Sequence, residues 1–588
     1  MRPVFLVENS PNNLDDVIGT FLYNRDLTKD YLDVSQKDEI PFNTMRNMNE
    51  AVDVMINALA KNKKIYVLVD CDVDGYTSAA ALIGYIERIP ARRSYTAEYL
   101  LHTGKQHGLT DPNIIIPEDC GLLIIPDAGS ADSDQCNALI SRGCDVIVLD
   151  HHDLNGSETN NAIVVSSQYP DYANPQLSGV GVVYKFLQAM DDALWENNAD
   201  IFLDLVALGN VADVMSMKSR ETKYLVQKGL GNVVNPMFKA ILDKQSFNIQ
   251  ETVPSIREIQ FSVAPQLNAL IRMGEQEDKR LLFEAMLGHD HPELEFSYKK
   301  RGSNEIVQEN IYEYVARVCQ NVKASQDRAK KGSITKMKAV IKNKNMDENK
   351  LLLCDVTGML DETLTGVTAQ AMSKEYNRPC LLLRNVKNAS DTYGGSARNS
   401  REDYIPDLKA ALEETGLFEA LGGHANSFGF RIKKENIPAL VEKTNTMFNE
   451  MSYQKTHHVD FEADLFDIPL SFFDGVHSIR RLIGKDIDEP TIYVKNIYVP
   501  LHHAALIGKD LNTLRIQLNG NESLRYTIPV ELVKFNCGDN DPIKKDLKDS
   551  WITEDGWVIS AVCTAGMNFY KGRLTPQLII NEYWIEEQ

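Results

Sequence analysis

Three short apolar segments, each ending in an aspartate, constrain the fold of this 588-residue chain more than any other feature. They are KIYVLVD (64–70), GLLIIPD (121–127) and CDVIVLD (144–150), and their length and β-branched composition are typical of buried strands. Segments with helical spacing, such as TSAAALIGYIERI and SADSDQCNALISRG, lie between them. This alternation predicts a parallel α/β sheet over residues 64–230, with the three aspartates at the edge where such sheets bind ligands.

The first segment continues as DCDVDG, in which Asp70, Asp72 and Asp74 alternate. On an extended strand end, alternate side chains leave the same face, so we expect the three carboxylates to be neighbours. Such a group is tolerated when cations lie between the oxygens, and hard oxygen ligands favour Mg²⁺ or Mn²⁺. Gly75 permits a sharp turn before a helix that we expect to start at residues 77–78 and whose N-terminus could bind phosphate.

The same D-x-D-x-D-G pattern also opens the calcium loop of an EF-hand. That loop requires a bidentate glutamate at its twelfth position, which is Ala81 in this chain. Its flanks should also be helical, whereas the preceding residues are typical of a strand. The sequence therefore disfavours a calcium loop.

Histidines and further aspartates follow the later segments. Asp127 ends the second apolar segment, Asp150 ends the third, and His151 and His152 come directly after it. Adjacent imidazoles at a strand end are hard to explain as structural residues, because buried imidazoles need polar partners. Asp213 follows the apolar helical run in DLVALGNVADVMSM, where by itself it would be a helix cap.

These clusters, in this order, resemble the DHH phosphoesterase superfamily. Four later segments resemble its RecJ branch, the 5′-to-3′ exonucleases specific for single-stranded DNA. They are LSGVGVVYKF (177–186), APQLNALIRMG (264–274), YGGSARNS (393–400) and LGGHANSFGF (421–430). The resemblance covers roughly residues 64–440, and IGKDLNTLRIQL in the tail looks like the oligonucleotide-binding barrel of RecJ.

The resemblance implies two metal ions, Mn²⁺ or Mg²⁺, that share one bridging aspartate. The first ion would be held by Asp70, Asp72 and Asp127. The second ion would be held by Asp74, Asp127, His151 and Asp213. Asp150 would orient the histidine pair and His152 would contact the scissile phosphate, so these two join Asp127 and His151 as catalytic residues.

The resemblance also implies contacts to the nucleic-acid backbone. The implied residues are Lys105, Asn268, Arg272, Ser396, Arg398, Gly422, Gly423 and His424. Residues 99–109 lack the arginine that the family uses for the 5′ phosphate, which leaves Lys105, His102 or His107 as substitutes. Cys71 replaces a tyrosine of the family and is expected to pack in the core, and residues 270–271 replace small residues of the family.

A chain of this length is expected to form two to four domains, and the patterns along the α/β chain together with the resemblance suggest four. They are a parallel-sheet DHH domain with an N-terminal extension (1–230), a helical connector that is basic at its end (231–345), a DHHA1-type α/β domain (346–451) and a C-terminal β-barrel of the OB-fold type (452–588). KMKAVIKNK (336–344) is typical of a strand, and EDYIPDLKAALEETG (402–416) of a strongly amphipathic helix.

The net charge of −21 argues against nucleic-acid binding by the chain as a whole. Residues 321–345 are an exception, with eight lysines and arginines against one aspartate. The nine scattered cysteines include no C-x-x-C pair, which argues against a zinc knuckle or a disulfide framework. No apolar run is long enough for a signal peptide or a membrane span, so we expect a cytoplasmic protein without a membrane partner.

The sequence therefore predicts a metal-dependent 5′-to-3′ single-stranded-DNA exonuclease, monomeric, that serves recombination, repair or replication. Its expected partners are single-stranded DNA and a single-strand-binding protein or a helicase. One alternative is a DHH phosphodiesterase for very short RNA or cyclic dinucleotides, which the barrel-like tail disfavours. The other is an inactive DNA-binding scaffold, which the complete set of metal ligands disfavours.

Overall fold

The computed structural model describes residues 4–5, 14–89, 95–104, 106–154, 159–247, 249, 251–300, 302–386, 389–451, 457–518, 530–538, 541–548, 556–570 and 573–586. The chain divides into two compact units. The larger unit comprises residues 2–271, 275–317 and 457–588, and the smaller one comprises residues 272–274 and 318–456. The finer division into four domains remains a prediction.

The larger unit begins with a mixture of helices and mainly parallel strands. Its strands are β1 (Val4–Phe5), β2 (Ile65–Val69), β3 (Ala97–Leu101), β4 (Leu122–Pro126), β5 (Asp145–Asp150), β6 (Ile163–Ser166), β7 (Phe296–Lys299) and β8 (Ile306–Glu309). Its helices are α1 (Leu14–Tyr23), α2 (Met48–Ala60), α3 (Val73–Arg88), α4 (Ser133–Ser141), α5 (Gly179–Leu194), α6 (Leu203–Ala212), α7 (Arg220–Leu230), α8 (Pro236–Lys244), α9 (Ile256–Glu258), α10 (Ala264–Met273) and α11 (Gln276–Leu287). The predicted helical connector thus also contains the antiparallel hairpin β7–β8.

The central sheet of this unit is parallel throughout, with the strand order β3-β2-β4-β5-β6. The parallel-sheet prediction is therefore confirmed, with β3 and β6 added at the edges. The chain order reverses between β2 and β4, and a crevice opens at the carboxyl ends of the strands at such a switch point. Asp70 directly follows β2 and Asp127 directly follows β4, so both aspartates lie at this crevice.

The first aspartate cluster has a different backbone from the predicted one. Strand β2 ends at Val69 and α3 begins at Val73, so Asp74 lies in the first helical turn rather than on an extended strand. Asp72 caps the helix, because its Oδ1 accepts a hydrogen bond of 3.1 Å from Gly75 N. The expected start at residues 77–78 was thus wrong: the aspartate satisfies a backbone donor and lets the helix begin earlier.

The smaller unit is built on a five-stranded sheet with the order β12-β13-β11-β10-β9. Its strands are β9 (Leu352–Asp355), β10 (Cys380–Val386), β11 (Ala389–Arg398), β12 (Phe418–His424) and β13 (Ser427–Lys433). The accompanying helices are α12 (Ile311–Asn343), which contains the boundary at residue 318, α13 (Thr365–Tyr376), α14 (Leu408–Glu413) and α15 (Ile437–Met447).

Two sequence predictions for this unit were wrong. Residues 336–344 do not form a strand but belong mostly to α12, where Met337 and Ile341 lie one helical turn apart and are both buried beside Leu352. Two buried side chains four residues apart lie on the same face of a helix, which explains the helix here, although the alternating lysines are also typical of a strand. The predicted helix over residues 402–416 is confined to α14, because Asp407 caps it after Pro406.

The C-terminal part of the larger unit forms a seven-stranded sheet with the order β15-β16-β20-β21-β19-β18-β17. The elements are β14 (His458–Val459), β15 (Phe461–Asp464), α16 (Leu470–Ile479), β16 (Thr491–Val499), β17 (Ala504–Ile507), β18 (Thr513–Leu518), β19 (Val530–Lys534), α17 (Pro542–Lys548), β20 (Trp557–Tyr570) and β21 (Arg573–Ile585). The β-rich structure expected of residues 452–588 is present in the described part of this region, while its closure into a barrel remains a prediction. Arg25 of the N-terminal region forms a buried 2.8 Å ion pair with Asp460.

None of the described helices is long and apolar enough to cross a membrane.

We expect Gly229→Ala to destabilise the protein, because α6 and α7 approach each other too closely for a side chain at this position. An added Cβ would lie 2.0 Å from Leu203 O and 2.7 Å from Ala207 Cβ. Such overpacking costs about 1–3 kcal/mol. Gly19→Ala in α1 is the matched control, because no described residue outside its own stretch of helix comes within 4 Å of its added Cβ, and it should stabilise by about 0.5–1 kcal/mol. Urea unfolding measures the free energy of unfolding of both variants, and equal effects would contradict the close packing of α6 against α7.

Candidate metal centre

Three carboxylates from two strand ends form the first group of candidate ligands. Asp70, Asp72 and Asp127 each offer an oxygen, and these oxygens lie within 4.8 Å of one another. Asp127 adopts a left-handed conformation with φ +63°, while its N–H donates a 2.8 Å hydrogen bond to Leu149 O of the neighbouring strand. A Cβ at Gly179 would come within 2.5 Å of Asp127 Cβ, so the N-terminus of α5 can pack against this carboxylate only with glycine.

A second group of candidate ligands meets the first at Asp127. Asp74, His151 and Asp213 each offer one atom, and these atoms also lie within 4.8 Å of one another. His151 Nε2 is 3.2 Å from Asp127 Oδ1, 3.4 Å from Asp213 Oδ2 and 3.8 Å from Asp74 Oδ2. Asp213 is the residue that ends α6, and a quarter of its side chain is exposed. The structure thus brings together all six ligands that the sequence suggested.

The electrostatics of the two groups favour bound cations. Burial, followed by the charge of Asp72, raises the pKa of Asp74 to about 6. Burial and the charge of Asp74 raise the pKa of Asp127 well above its usual range. Asp127 Oδ1 is buried and makes no hydrogen bond among the described residues. Because the donors are hard carboxylate oxygens with one imidazole, this site suits Mg²⁺ or Mn²⁺.

Asp74 is held in place by the start of α5. Its carboxylate accepts hydrogen bonds from Ser178 Oγ (2.9 Å), Gly179 N (2.6 Å) and Val180 N (3.2 Å). These donors stabilise the charged form at a helix N-terminus and partly offset the burial. Sequence reasoning noted the segment 177–186 only as a family motif and did not find this role. Its serine and two glycines, which are typical of a tight helix start, were the available signal.

Asp150 holds the histidine pair from behind. Its side chain accepts hydrogen bonds from the backbone N–H groups of Ser130 (3.1 Å), His151 (2.7 Å) and His152 (3.2 Å), and His152 Nδ1 lies 2.8 Å from Asp150 Oδ1. Burial acts to raise the pKa of Asp150, but the charge and hydrogen bonds of His152 outweigh it and keep the carboxyl ionised. In turn, against the effect of burial, Asp150 raises the pKa of His152 to about 9.

The loop after β3 supplies a histidine to the first aspartate. His107 Nδ1 lies 2.5 Å from Asp70 Oδ2, and Gly108 N donates a 3.0 Å hydrogen bond to Asp70 Oδ1. Although burial opposes it, the hydrogen bond with Asp70 raises the pKa of His107 to about 11. His102 is buried against Asp111, and Cys71 is buried beside His107. Lys105 lies outside the described residues.

Comparisons with known proteins agree with this geometry. The DHH family, N-terminal domain, matches residues 64–210. A protein named as an SPbeta prophage-derived single-strand DNA-specific exonuclease, YorK of Bacillus subtilis (strain 168), is 34% identical over 577 residues, which are 96% of each chain. The chain therefore belongs to the RecJ-like exonucleases of the DHH superfamily. Membership of this family identifies it as a hydrolase that acts as an exonuclease, and the resemblance drawn from the sequence is confirmed.

More distant RecJ-like proteins share the fold. The single-stranded-DNA-specific exonuclease RecJ of Bacillus subtilis (strain 168) is 23% identical over 92% of this chain and 64% of its own length. The crystal structure of RecJ in complex with Mn²⁺ from Thermus thermophilus has a TM-score of 0.69 at 19% identity. The match covers 100% of this chain and 80% of that one, so the RecJ-like fold extends over the whole chain.

The smaller unit aligns its expected substrate residues on adjacent strands. Ser396 is opposite Gly429, which is opposite Gly422 on the next strand. Arg398 and His424 are both opposite Ser427 in the same way. Gly423, between Gly422 and His424, has φ +123°, which favours glycine.

Arg398 has the properties of an anion-binding residue. Burial and then the positive charge of Arg272 lower its pKa to about 10. Among the described residues no carboxylate lies within ion-pair distance of Arg398, and a Cβ at Gly366, in the first turn of α13, would lie 2.7 Å from its Nη2. Asn268 precedes Arg272 by one turn of α10, and its Oδ1 is buried without a hydrogen bond among the described residues. A partly buried cation next to a helix N-terminus suits a phosphate.

The raised pKa of Asp74 predicts a pH dependence of stability in chelator. A carboxyl whose folded-state pKa is raised to about 6 contributes stability that is present at acidic pH and lost as the pH rises through 6. The melting temperature of the metal-free protein should therefore fall as the pH rises from about 4, near the ordinary pKa of 3.8, to about 6. Asp74→Asn should reduce this slope, whereas Asp145→Asn, at the distant end of β5, should retain it. A slope that Asp74→Asn leaves unchanged would refute the assignment.

Proposed function

We propose that this protein is a two-metal exonuclease that hydrolyses single-stranded DNA from its 5′ end. The observation that carries the proposal is the convergence of two ligand groups on Asp127, which lies beside both of them. Asp70, Asp72 and Asp127 would hold one divalent ion. Asp74, Asp127, His151 and Asp213 would hold the other, because the three carboxylates all lie close to His151.

The proposed cofactor is a pair of Mn²⁺ or Mg²⁺ ions. Crystal structures of RecJ from Thermus thermophilus are of complexes with Mn²⁺ and with Mg²⁺. Bound at these ligands, two such ions would activate water and neutralise charge on the phosphodiester during in-line cleavage. The chain supplies no nucleophile in this scheme. Its carboxylates fix the positions of the ions, and Asp127 in its left-handed conformation presents one carboxylate to both groups.

His152 is proposed to contact the scissile phosphate. Because its pKa is raised to about 9, the imidazole is protonated at neutral pH and carries a positive charge. Its side chain is 40% exposed, whereas that of His151 is 5% exposed, so His152 can meet a substrate while His151 faces the carboxylates. Asp150 maintains both the orientation and the charge of His152.

Single-stranded DNA is the proposed substrate because the relatives YorK and RecJ are both named as exonucleases specific for it. In the smaller unit, Arg398 with Arg272 offers positive charge for a backbone phosphate, and Ser396 lies on the same strand as Arg398. Gly422, Gly423 and His424 would allow the nucleic-acid backbone to approach the sheet closely. The C-terminal sheet would add contacts to longer strands.

Asp150→Asn should lower hydrolysis roughly 10- to 100-fold, as is typical when a residue that orients a metal-binding histidine is changed. It should also lower the pKa of His152, because the adjacent negative charge is lost. Asp145→Asn changes the opposite end of the same strand and should leave both the rate of hydrolysis and the pKa of His152 unchanged. Steady-state kinetics and histidine titration by NMR measure the two effects. If Asp150→Asn retains full activity in a folded protein, the proposed role is refuted.

Digestion of end-labelled oligonucleotides tests the function as a whole. In Mn²⁺, the 5′ label of a single strand should appear in short products from the earliest times, while the 3′ label shortens progressively. Duplex DNA should be resistant, and Asp127→Ala should abolish hydrolysis but retain single-strand binding. Release of the 3′ label first would refute the polarity. Cleavage confined to dinucleotides would favour the small-substrate phosphodiesterase instead.

A further inference from the structure

A cluster of two histidines and a glutamate lies far from the catalytic centre. Glu284 is in the last turn of α11, and His289 and His291 are in the loop that follows. His289 Nδ1 lies 2.6 Å and His291 Nε2 lies 3.4 Å from the same oxygen, Glu284 Oε2. Glu87, which contacts His289, lies about 20 Å along α3 from Asp74 at 1.5 Å per residue. The catalytic carboxylates therefore take no part in this cluster.

We propose that Glu284, His289 and His291 form a separate binding site for a transition-metal ion of the zinc class. Their three ligand atoms lie within 4.8 Å of one another, close enough to converge on one ion. Two imidazole nitrogens with one carboxylate oxygen match the preferences of Zn²⁺ and Co²⁺ rather than those of Mg²⁺ or Ca²⁺. The remaining position of a tetrahedral site would be taken by water.

Carboxylates beside the two histidines support a metal site, in addition to the short distances among the three ligand atoms. The nitrogen of His289 that faces away from Glu284 Oε2 lies 3.3 Å from Glu87 Oε2, and that of His291 lies 2.8 Å from Glu293 Oε1. Histidines that bind metals usually donate their other N–H to a carboxylate in this way, which fixes the tautomer and the ring orientation. Tyr99 Oη donates its hydrogen bond to the second oxygen of Glu284, which leaves Oε2 for the ion.

The charge and exposure of the cluster suit an ion from solvent. The side chain of Glu284 is 12% exposed, while those of His289 and His291 are 38% and 24% exposed, so an ion can enter from one side. Arg280 Nη1 is 4.0 Å from Glu284 Oε1, the oxygen that does not face the two histidines. A bound ion would fasten the loop after α11 to the end of α3, which contributes Glu87.

The test is a Zn²⁺ titration of the full chain in competition with a chromophoric chelator. The unmodified protein should bind one more equivalent of Zn²⁺ than the double variant His289→Gln/His291→Gln. With Co²⁺ it should show visible absorption in addition to that of the double variant. His458→Ala, which removes a histidine from β14, is the matched control and should bind as the unmodified protein does. The catalytic centre contributes equally to all three proteins.

Equal numbers of Zn²⁺ equivalents in the unmodified protein and the double variant would overturn the proposal and leave a hydrogen-bonded cluster only. Circular dichroism and hydrolysis in Mn²⁺ report whether the double variant is folded. Should it fail to fold, His291→Gln alone decides the question, because this side chain is partly exposed. It should weaken Zn²⁺ binding at least about tenfold, and an unchanged affinity would equally overturn the proposal.

Discussion

Mutual repulsion among buried carboxylates is the constraint on which the rest of this structure depends. Asp70, Asp74 and Asp127 are almost completely removed from water, and all three lie at one crevice of the central sheet. Burial and mutual repulsion raise the pKa values of Asp74 and Asp127, which expresses the cost of ionising these two carboxyls together without cations. Metal binding therefore requires the loss of protons from the site and stabilises the folded chain.

The fold concentrates this charge by close approaches of helices to strand ends. The N-terminus of α3 packs against Asp70, and that of α5 packs against Asp127 and donates to Asp74. Glycines at these contacts let the helices approach the aspartates more closely than a Cβ would permit. The order β3-β2-β4-β5-β6 places the reversal of strand order between β2 and β4, the strands that Asp70 and Asp127 directly follow. Topology, rather than any single motif, thus assembles the site.

Much of the site could be predicted from the sequence because Asp70, Asp127 and His151 directly follow apolar strands, whose composition and length are readily recognised. The local backbone could not be predicted in the same way. Because Asp72 caps α3, the helix begins at Val73 rather than at residues 77–78, where the sequence suggested its start. Residues 336–344 were ambiguous because lysines alternate there at the period of a strand, while Met337 and Ile341 have the spacing of a helix. Contacts such as His107 with Asp70 join distant segments, and spacing alone does not reveal them.

The most direct measurement of the bridging role of Asp127 is anomalous diffraction from crystals of this protein soaked in Mn²⁺. We expect two peaks, roughly 3.5–4 Å apart, with Asp127 between them. One peak should also contact Asp70 and Asp72, and the other should also contact Asp74, His151 and Asp213. A single peak, or a peak held by Asp70 and His107 without Asp127, would contradict a two-metal centre built on Asp127.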